Sequence, residues 1–437
     1  MSVSVVQRLH TLLKSAFFKN IALLASGTLL AQIITISTTP VLSRLFLPAA
    51  FGVLGMLNSV VNILAGVSAL RYNMAMVLPD DDDDAANLLS LSLGLISTLT
   101  LLIALVVLVG RQPLATQLGQ PDAANWLWWL PPMVLITGLF QTLSFWCTRK
   151  KAFKRTSISQ VAGSAVSASS KISAGVAAVG TLGLVAGQVL GSLIGTLVLL
   201  TQVLREDLTT LRRAFSLSRI KALARTFADF PRYNAPATLI HGLTNGLPVI
   251  LFGLVFDATA AGLYSVAYLI CRMPVQLLAS AVYNVFFQRA SERLNAKSPL
   301  FAEHKQTTFL LAAVGILPAI IAAWLAPWVF TLGLGEEWTG AGVYARYLLI
   351  FLYFELMAIP SSALIPVLNR QRWFLGWQSV SLVFSISGIA LGFALGSPVY
   401  GVFAYSVAKA LMFIWLTLSM TRKVRAVDQG EYRAYAG

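Results

Sequence analysis

Twelve long stretches of this sequence carry almost no charge, and each is close to the roughly 20 residues that an α-helix needs to cross a bilayer. Such a pattern leaves few folds open. Hydrocarbon offers no partner for a free backbone N–H or C=O, so membrane-spanning segments must be helices or closed barrels, and runs of this length select helices. Only 11% of the 437 residues are charged and 57% are hydrophobic, against about a quarter charged in an ordinary soluble domain. A soluble fold is therefore excluded, and the expected class is all-α integral membrane. The spans are expected over residues 20–42, 52–74, 86–110, 125–147, 157–178, 181–203, 233–256, 261–286, 307–333, 341–367, 373–395 and 399–420.

The 32 Lys and Arg exceed the 17 Asp and Glu, a balance that in a soluble protein would point to nucleic acid. Their placement argues otherwise. Counted over alternate connections, 25 fall on one side: Arg8, Lys14 and Lys19; the cluster Arg149 to Arg155; seven between Arg205 and Arg232; Arg289, Arg293, Lys297 and Lys305; Arg370 and Arg372; and Arg422, Lys423, Arg425 and Arg433. The opposite side has only Arg44, Arg111 and Arg346. The positive-inside rule makes the rich side cytoplasmic, with both termini inside. The excess charge is thus mainly a topology signal, with attraction to anionic headgroups as a by-product.

The first apolar run follows basic residues as in a signal peptide, but it is too long and lacks a small-residue cleavage site, so it is expected to be retained as a span. Cys147 and Cys271 sit in or beside apolar runs and support neither a disulfide framework nor a zinc site. The acidic run Asp80 to Asp84 reads as a solvated loop rather than a metal site. Outer loops are short, the longest being Arg111 to Asn125. The inner connection 205–232 has room for one amphipathic helix, with Leu211, Phe215, Leu217, Ile220, Leu223 and Phe227 set among basic residues. No soluble catalytic domain fits. The absence of a Gly-Lys dipeptide excludes a Walker loop, and no HExxH or paired His/Cys motif occurs. No catalytic residue, metal ligand or cofactor is expected.

The sequence repeats itself weakly. SRLFLPAAFGVLGMLNSVVNILAGVSALRYN and LVFDATAAGLYSVAYLICRMPVQLLASAVYN each place a small-residue turn and a Gly before a long span ending at Tyr-Asn, about 210 residues apart. Six spans per repeat is an even number, so both halves have one orientation and are expected to be two six-helix bundles related by a pseudo-two-fold axis along the membrane normal. The expected division is 1–204, a connecting segment 205–232, and 233–437 with its tail.

Five ionisable residues fall inside spans: Arg71, Lys171, Arg272, Glu355 and Lys409. A charge at the bilayer centre costs about 2.5 to 3.5 kcal/mol on the insertion scale, so each is expected to face a bundle interior, a partner or water. Polar neighbours recur at helical spacing: Tyr264, Tyr268, Arg272 and Gln276; Ser164, Ser167 and Lys171; Thr238, His241 and Asn245; Tyr405 and Lys409; Asn58 and Asn62. Four bases against one acid leave a positive interior that calls for an anion such as phosphate or pyrophosphate. Glu355 is the candidate for ion coupling, its rival reading being a static ion pair. Gly183, Gly187, Gly191 and Gly195 form a face for close helix packing, while Pro248, Pro274, Pro318 and Pro360 are candidate kinks.

Two segments, LRYNMAMVLPDDDDDAANLLSLS and FPRYNAPATLIHGLTNGLPVILFGLVFDATAAGLYSVAYLICRMPVQLLASAVYNVFFQRASE, resemble the bacterial Wzx-type polysaccharide flippases of the multidrug, oligosaccharidyl-lipid and polysaccharide exporter superfamily. The resemblance implies translocation of an undecaprenyl-pyrophosphate-linked oligosaccharide across the bacterial inner membrane for lipopolysaccharide, O-antigen or exopolysaccharide synthesis. It implies two rocking bundles around a cationic cavity, a proton or sodium ion for coupling, the membrane and a polymerase or assembly machinery as partners, and no nucleic acid. Arg71 and Arg272 lie in the matching segments, and the five consecutive Asp depart from the family's usual mix of Lys and Glu. A cation-coupled multidrug exporter of the same superfamily would prefer acidic spans, and a membrane-embedded glycan polymerase or ligase would need a sizeable outer loop.

Overall fold

The computed structural model describes residues 16–117, 123–296 and 298–429. Arg8, Lys14, Lys297 and Arg433, all counted in the charge asymmetry, lie outside these, as does the side chain of Lys19. Among the described residues there are no strands and twelve long helices: α1 (Ala16–Leu45), α2 (Pro48–Val67), α3 (Asp82–Gln117), α4 (Leu130–Arg149), α5 (Phe153–Val176), α6 (Thr181–Ala214), α7 (Ala235–Val255), α8 (Ala258–Asn295), α9 (Phe301–Leu334), α10 (Thr339–Met357), α11 (Gln371–Ala394) and α12 (Pro398–Asp428). Each matches one expected span. Ten stretches meet the length and hydropathy needed to cross a membrane. The other two long helices are α1 and α5, and α5 falls short because seven Ser, Lys154, Arg155 and Lys171 dilute its apolar content.

Boundaries differ where local chemistry overrides hydropathy. The second span ends early, at Val67, because Leu70 and Arg71 adopt left-handed backbone (φ 46° and 65°), and a short helix, Tyr72–Ala75, follows. The tenth divides at Ala358, with a second piece Ile359–Val367 that opens on Pro360; a proline ring suits a first helical turn but lacks the N–H an interior would use. Pro248, Pro274 and Pro318 remain inside continuous helices.

The chain packs as two compact units, the residues up to Phe46 with Met56–Gly242, and Leu47–Gly55 with Leu243 onward. In the first, α5 packs along α1 and α6, and the apolar residues Tyr72, Met76, Leu88, Trp146 and Leu199 form one core. In the second, α10 packs against α8, α9 and α12, with Phe286, Ile365, Trp377, Met412 and Leu416 in a matching core.

Backbone geometry repeats with the sequence. Lys151 and Asn369 (φ 56° and 52°) occupy left-handed turns before α5 and α11, as do Gly180 and Gly396 (both φ 69°) before α6 and α12. In the second unit the opening turns of α2 cross those of α8 at equal register: a Cβ on Gly52 would lie 1.7 Å from the Ala258 carbonyl oxygen, and one on Gly262 1.8 Å from that of Pro48. The two contacts are related by the 210-residue offset, so only glycine fits at either position.

At the basic end of the first unit the last three residues of the acidic run are ion-paired, whereas Asp80 and Asp81 are exposed as expected of a solvated loop. Asp82 accepts from Arg149 Nε (3.0 Å) and Lys150 Nζ (2.5 Å), Asp83 pairs with Arg213 (3.1 Å), and Asp84 takes both arms of Arg219 (2.5 and 2.6 Å). Asn87 donates to Ala214 O (2.7 Å) and accepts from Ser216 N (2.9 Å). These bonds hold the amphipathic helix of the connecting segment, Leu217–Thr226, against the protein, with Leu223 buried and Tyr72 donating to Ala224 O (2.8 Å). Leu211 belongs to α6, and Phe215 and Leu217 are exposed.

Candidate functional site

The five interior charges separate into three settings. Arg71 occupies the left-handed elbow after α2. Its Nε is buried without a hydrogen-bond partner and one terminal nitrogen rests 3.3 Å from Met74 S, so no carboxylate among the described residues holds it. A non-glycine residue at positive φ carries strain that surrounding structure must sustain, a cost found most often at functional positions.

In the first unit, Lys171 on α5 enters a pocket of about 240 Å³ lined by α1, α4, α5 and α6. The glycine face of α6 builds it: a Cβ on Gly191 would lie 2.4 Å from Ser167 Cβ and 2.6 Å from Gly163 O, and one on Gly187 would lie 2.7 Å from Lys171 Cγ. The stripe is therefore a packing surface, and it also seats the Lys171 stem. Lys171 Nζ donates to Gln188 Oε1 (2.6 Å), and Gln188 Nε2 approaches Ser192 Oγ (3.4 Å). Ser164 and Ser167 line the same pocket. Gln188 and Ser192 also line an adjoining pocket of about 320 Å³, which Asn58 and Asn62 of α2 border.

In the second unit, Arg272 on α8 forms an ion pair with Glu355 on α10 (3.2 Å) and donates to the Tyr268 hydroxyl. The guanidinium carbon stands 5.2 Å from the centre of the Tyr268 ring. Lys409 on α12 is 7% exposed, within electrostatic range of Glu355 and Arg272, and forms no ion pair among the described residues. Tyr264 stacks on Tyr268 (5.9 Å) and meets Tyr405 edge-on (6.0 Å), so aromatic rings wall the charges on one side.

The Tyr264, Tyr268 and Arg272 stripe thus converges on Glu355 and Lys409, whereas Gln276, one turn further, is exposed. Thr238, His241 and Asn245 all lie on α7. Residues missed from sequence are Gln188, Ser192, Gln160 and Thr137, which line the Lys171 pocket. Gln188 and Ser192 each follow a glycine of the α6 stripe, a signal obscured by reading that stripe for packing alone. No cluster of His, Cys, Asp and Glu able to hold a metal occurs among the described residues.

Comparison with known proteins follows the same lines. The chain is 23% identical over 396 residues, 88% of its length and 74% of the relative's, to the succinoglycan biosynthesis transport protein ExoT of Rhizobium meliloti (strain 1021). Its fold resembles an inward-facing multidrug resistance MATE family transporter of the MOP superfamily (TM-score 0.73, 15% identity, 92% of this chain and 96% of that one). It also resembles the lipid II flippase MurJ in an inward closed conformation (TM-score 0.72, 12% identity, 93% and 90%). A family described as polysaccharide biosynthesis protein matches residues 41–342, more than half of the sequence, and the chain belongs to that family.

Proposed function

We propose that this chain is a flippase that moves an undecaprenyl-pyrophosphate-linked oligosaccharide from the inner to the outer leaflet of a bacterial cytoplasmic membrane. It is a transporter rather than an enzyme, and it works by alternating access in the synthesis of a surface or secreted polysaccharide. Its family, a relative that transports in succinoglycan synthesis and a fold shared with a lipid II flippase support this reading. Both termini lie on the cytoplasmic side, where the basic connections face anionic headgroups.

The observation that carries the proposal is the charge balance of the interior. Among the described residues, Arg71 has a buried unpartnered nitrogen, Glu355 pairs with Arg272, and Lys409, within electrostatic range of both, forms no ion pair. A lipid-linked diphosphate supplies the missing negative charge through charge-assisted hydrogen bonds, while its glycan meets hydroxyl and amide groups and its polyprenyl tail stays in lipid. A drug-cation exporter of the same fold would require the opposite balance.

Glu355 is the coupling group. When a phosphate takes over Arg272, the displaced carboxylate accepts a proton or sodium ion, so substrate and ion exchange at one place. Collapsing the proton gradient across vesicles tests the ion. For the substrate, Arg272→Ala and Lys409→Ala, each at normal expression, are expected to abolish rescue of a flippase-deficient strain. Wild-type surface polysaccharide in both variants would refute the assignment.

A further inference from the structure

The Lys171 pocket is built differently from a diphosphate site. Its lining contains one ammonium, no Arg and no carboxylate, whereas two linked phosphates call for several cations and are best matched by guanidinium forks. An ammonium has three N–H donors. One goes to Gln188 Oε1, leaving two for the pocket. Around it stand neutral donors: Ser164, Ser167 and Ser192 offer hydroxyls, and Gln160, whose Oε1 accepts from Thr28 (2.9 Å), keeps its NH₂ group as a donor.

Size points the same way. The pocket is about 240 Å³ and its neighbour about 320 Å³, near the lower limit of about 300 Å³ for small-molecule sites. Each accommodates an ion or one sugar ring, not a whole lipid-linked oligosaccharide. The site is also preformed, because Gly187 leaves the space that the Lys171 stem occupies and the α5–α6 backbones touch at Gly163 and Gly191.

We infer that this pocket is a separate subsite for one monovalent anion, held by Lys171 and the surrounding hydroxyl and amide donors. The anion is either a carboxylate carried by the transported glycan or a free small anion. The glycan source deepens the flippase reading and rests on it, whereas binding of the anion itself does not.

Purified full-length protein in nanodiscs is titrated with sodium glucuronate, sodium chloride and sodium pyrophosphate at matched ionic strength, and thermal unfolding is followed. Wild type is expected to show a saturable rise in Tm with glucuronate or chloride. Lys171→Met should raise the midpoint concentration at least tenfold, Lys171→Arg should keep part of the response, and Arg272→Ala should keep all of it. Gln188→Leu, which removes the amide that orients the ammonium, gives a second variant should Lys171→Met fail to fold, and is expected to weaken the response. A glucuronate midpoint below that of chloride assigns the site to an acidic sugar, and the reverse order to a free anion. No saturable response in wild type, or one equally strong in Lys171→Met and Gln188→Leu, would overturn the subsite. Because no lipid-linked glycan enters the assay, a failed complementation test leaves this result standing, and a failed titration leaves the flippase reading standing.

Discussion

Arg71 at its elbow apart, the Lys171 pocket of the first unit and the Arg272, Glu355 and Lys409 cluster of the second reach the same net charge by different routes. In the first, Lys171 stands alone against a neutral amide and hydroxyls, giving one positive charge. In the second, Arg272 and Lys409 face Glu355, two cations against one carboxylate, again giving one. The first arrangement is fixed, since nothing beside the ammonium can exchange a proton with it. The second can rearrange, because a carboxylate that leaves Arg272 exposes a guanidinium and acquires a proton or cation in the same step. An interior of the first kind suits holding an anion, and one of the second kind suits coupling its passage to an ion.

The harshest way to break the comparison is to destroy the wall of one interior. Gly191→Leu would drive a side chain into Ser167 and the Gly163 carbonyl, and we expect a loss of about 3 kcal/mol or more, at the upper end for overpacking, read as a collapse of Tm and yield. Gly392→Leu tests whether the second unit relies on the same device, since a Cβ there would stand 2.1 Å from Gly401 Cα.

Removing a single charge should separate the two interiors. Glu355→Ala leaves Arg272 without its carboxylate, and because both side chains are partly exposed (31% and 23%) the expected loss is about 2 kcal/mol, below that of a fully buried pair. The double variant Arg272→Ala with Glu355→Ala should regain part of that stability without regaining transport. Lys171→Met removes a charge that no carboxylate offsets, and its effect on stability is expected to be within about 1 kcal/mol. Equal losses from Glu355→Ala and Lys171→Met would erase the distinction drawn between the units.

The basic ends offer a gentler contrast. The first unit ties down its connecting segment with Asn87 and the Asp run, whereas the second caps α9 with Asp428, which accepts from Leu300 N (2.9 Å) and Phe301 N (2.7 Å). Asn87→Ala should cost at least about 1 kcal/mol through three lost hydrogen bonds, the third being its donation to Asp83 O (2.8 Å). Asp82→Asn with Asp84→Asn should speed tryptic cleavage in the segment 217–226 a few-fold at low salt, and the difference from wild type should fade by about 1 M salt, where the screening length is only about 3 Å. A salt-independent difference would mean that the run acts otherwise than as an electrostatic clasp.

Span positions were legible because hydropathy and length are averages over many residues, and all twelve survive small errors. Interior charges were legible for the same reason that they are rare: a lone Lys171 or Arg272 in an apolar run stands out. Pairings were less legible. That Arg272 meets Glu355 depends on the register of α8 against α10, 83 residues apart, and that Asp84 meets Arg219 depends on a contact spanning 135 residues. The elbow at Leu70 and Arg71 has no Gly or Pro to announce it. Gln188 and Ser192 looked like ordinary polar residues until the glycines beside them brought α5 close enough to place Lys171 over them.

The central claim is that interior cations recognise a lipid-linked diphosphate. Its most direct test is flipping of a fluorescent undecaprenyl-pyrophosphate-linked saccharide in proteoliposomes, measured as loss of access to a membrane-impermeant quencher, for wild type and for Arg272→Ala with Lys409→Ala. The account predicts translocation by wild type and at least a tenfold lower rate in the double variant at equal protein content. Equal rates would contradict it.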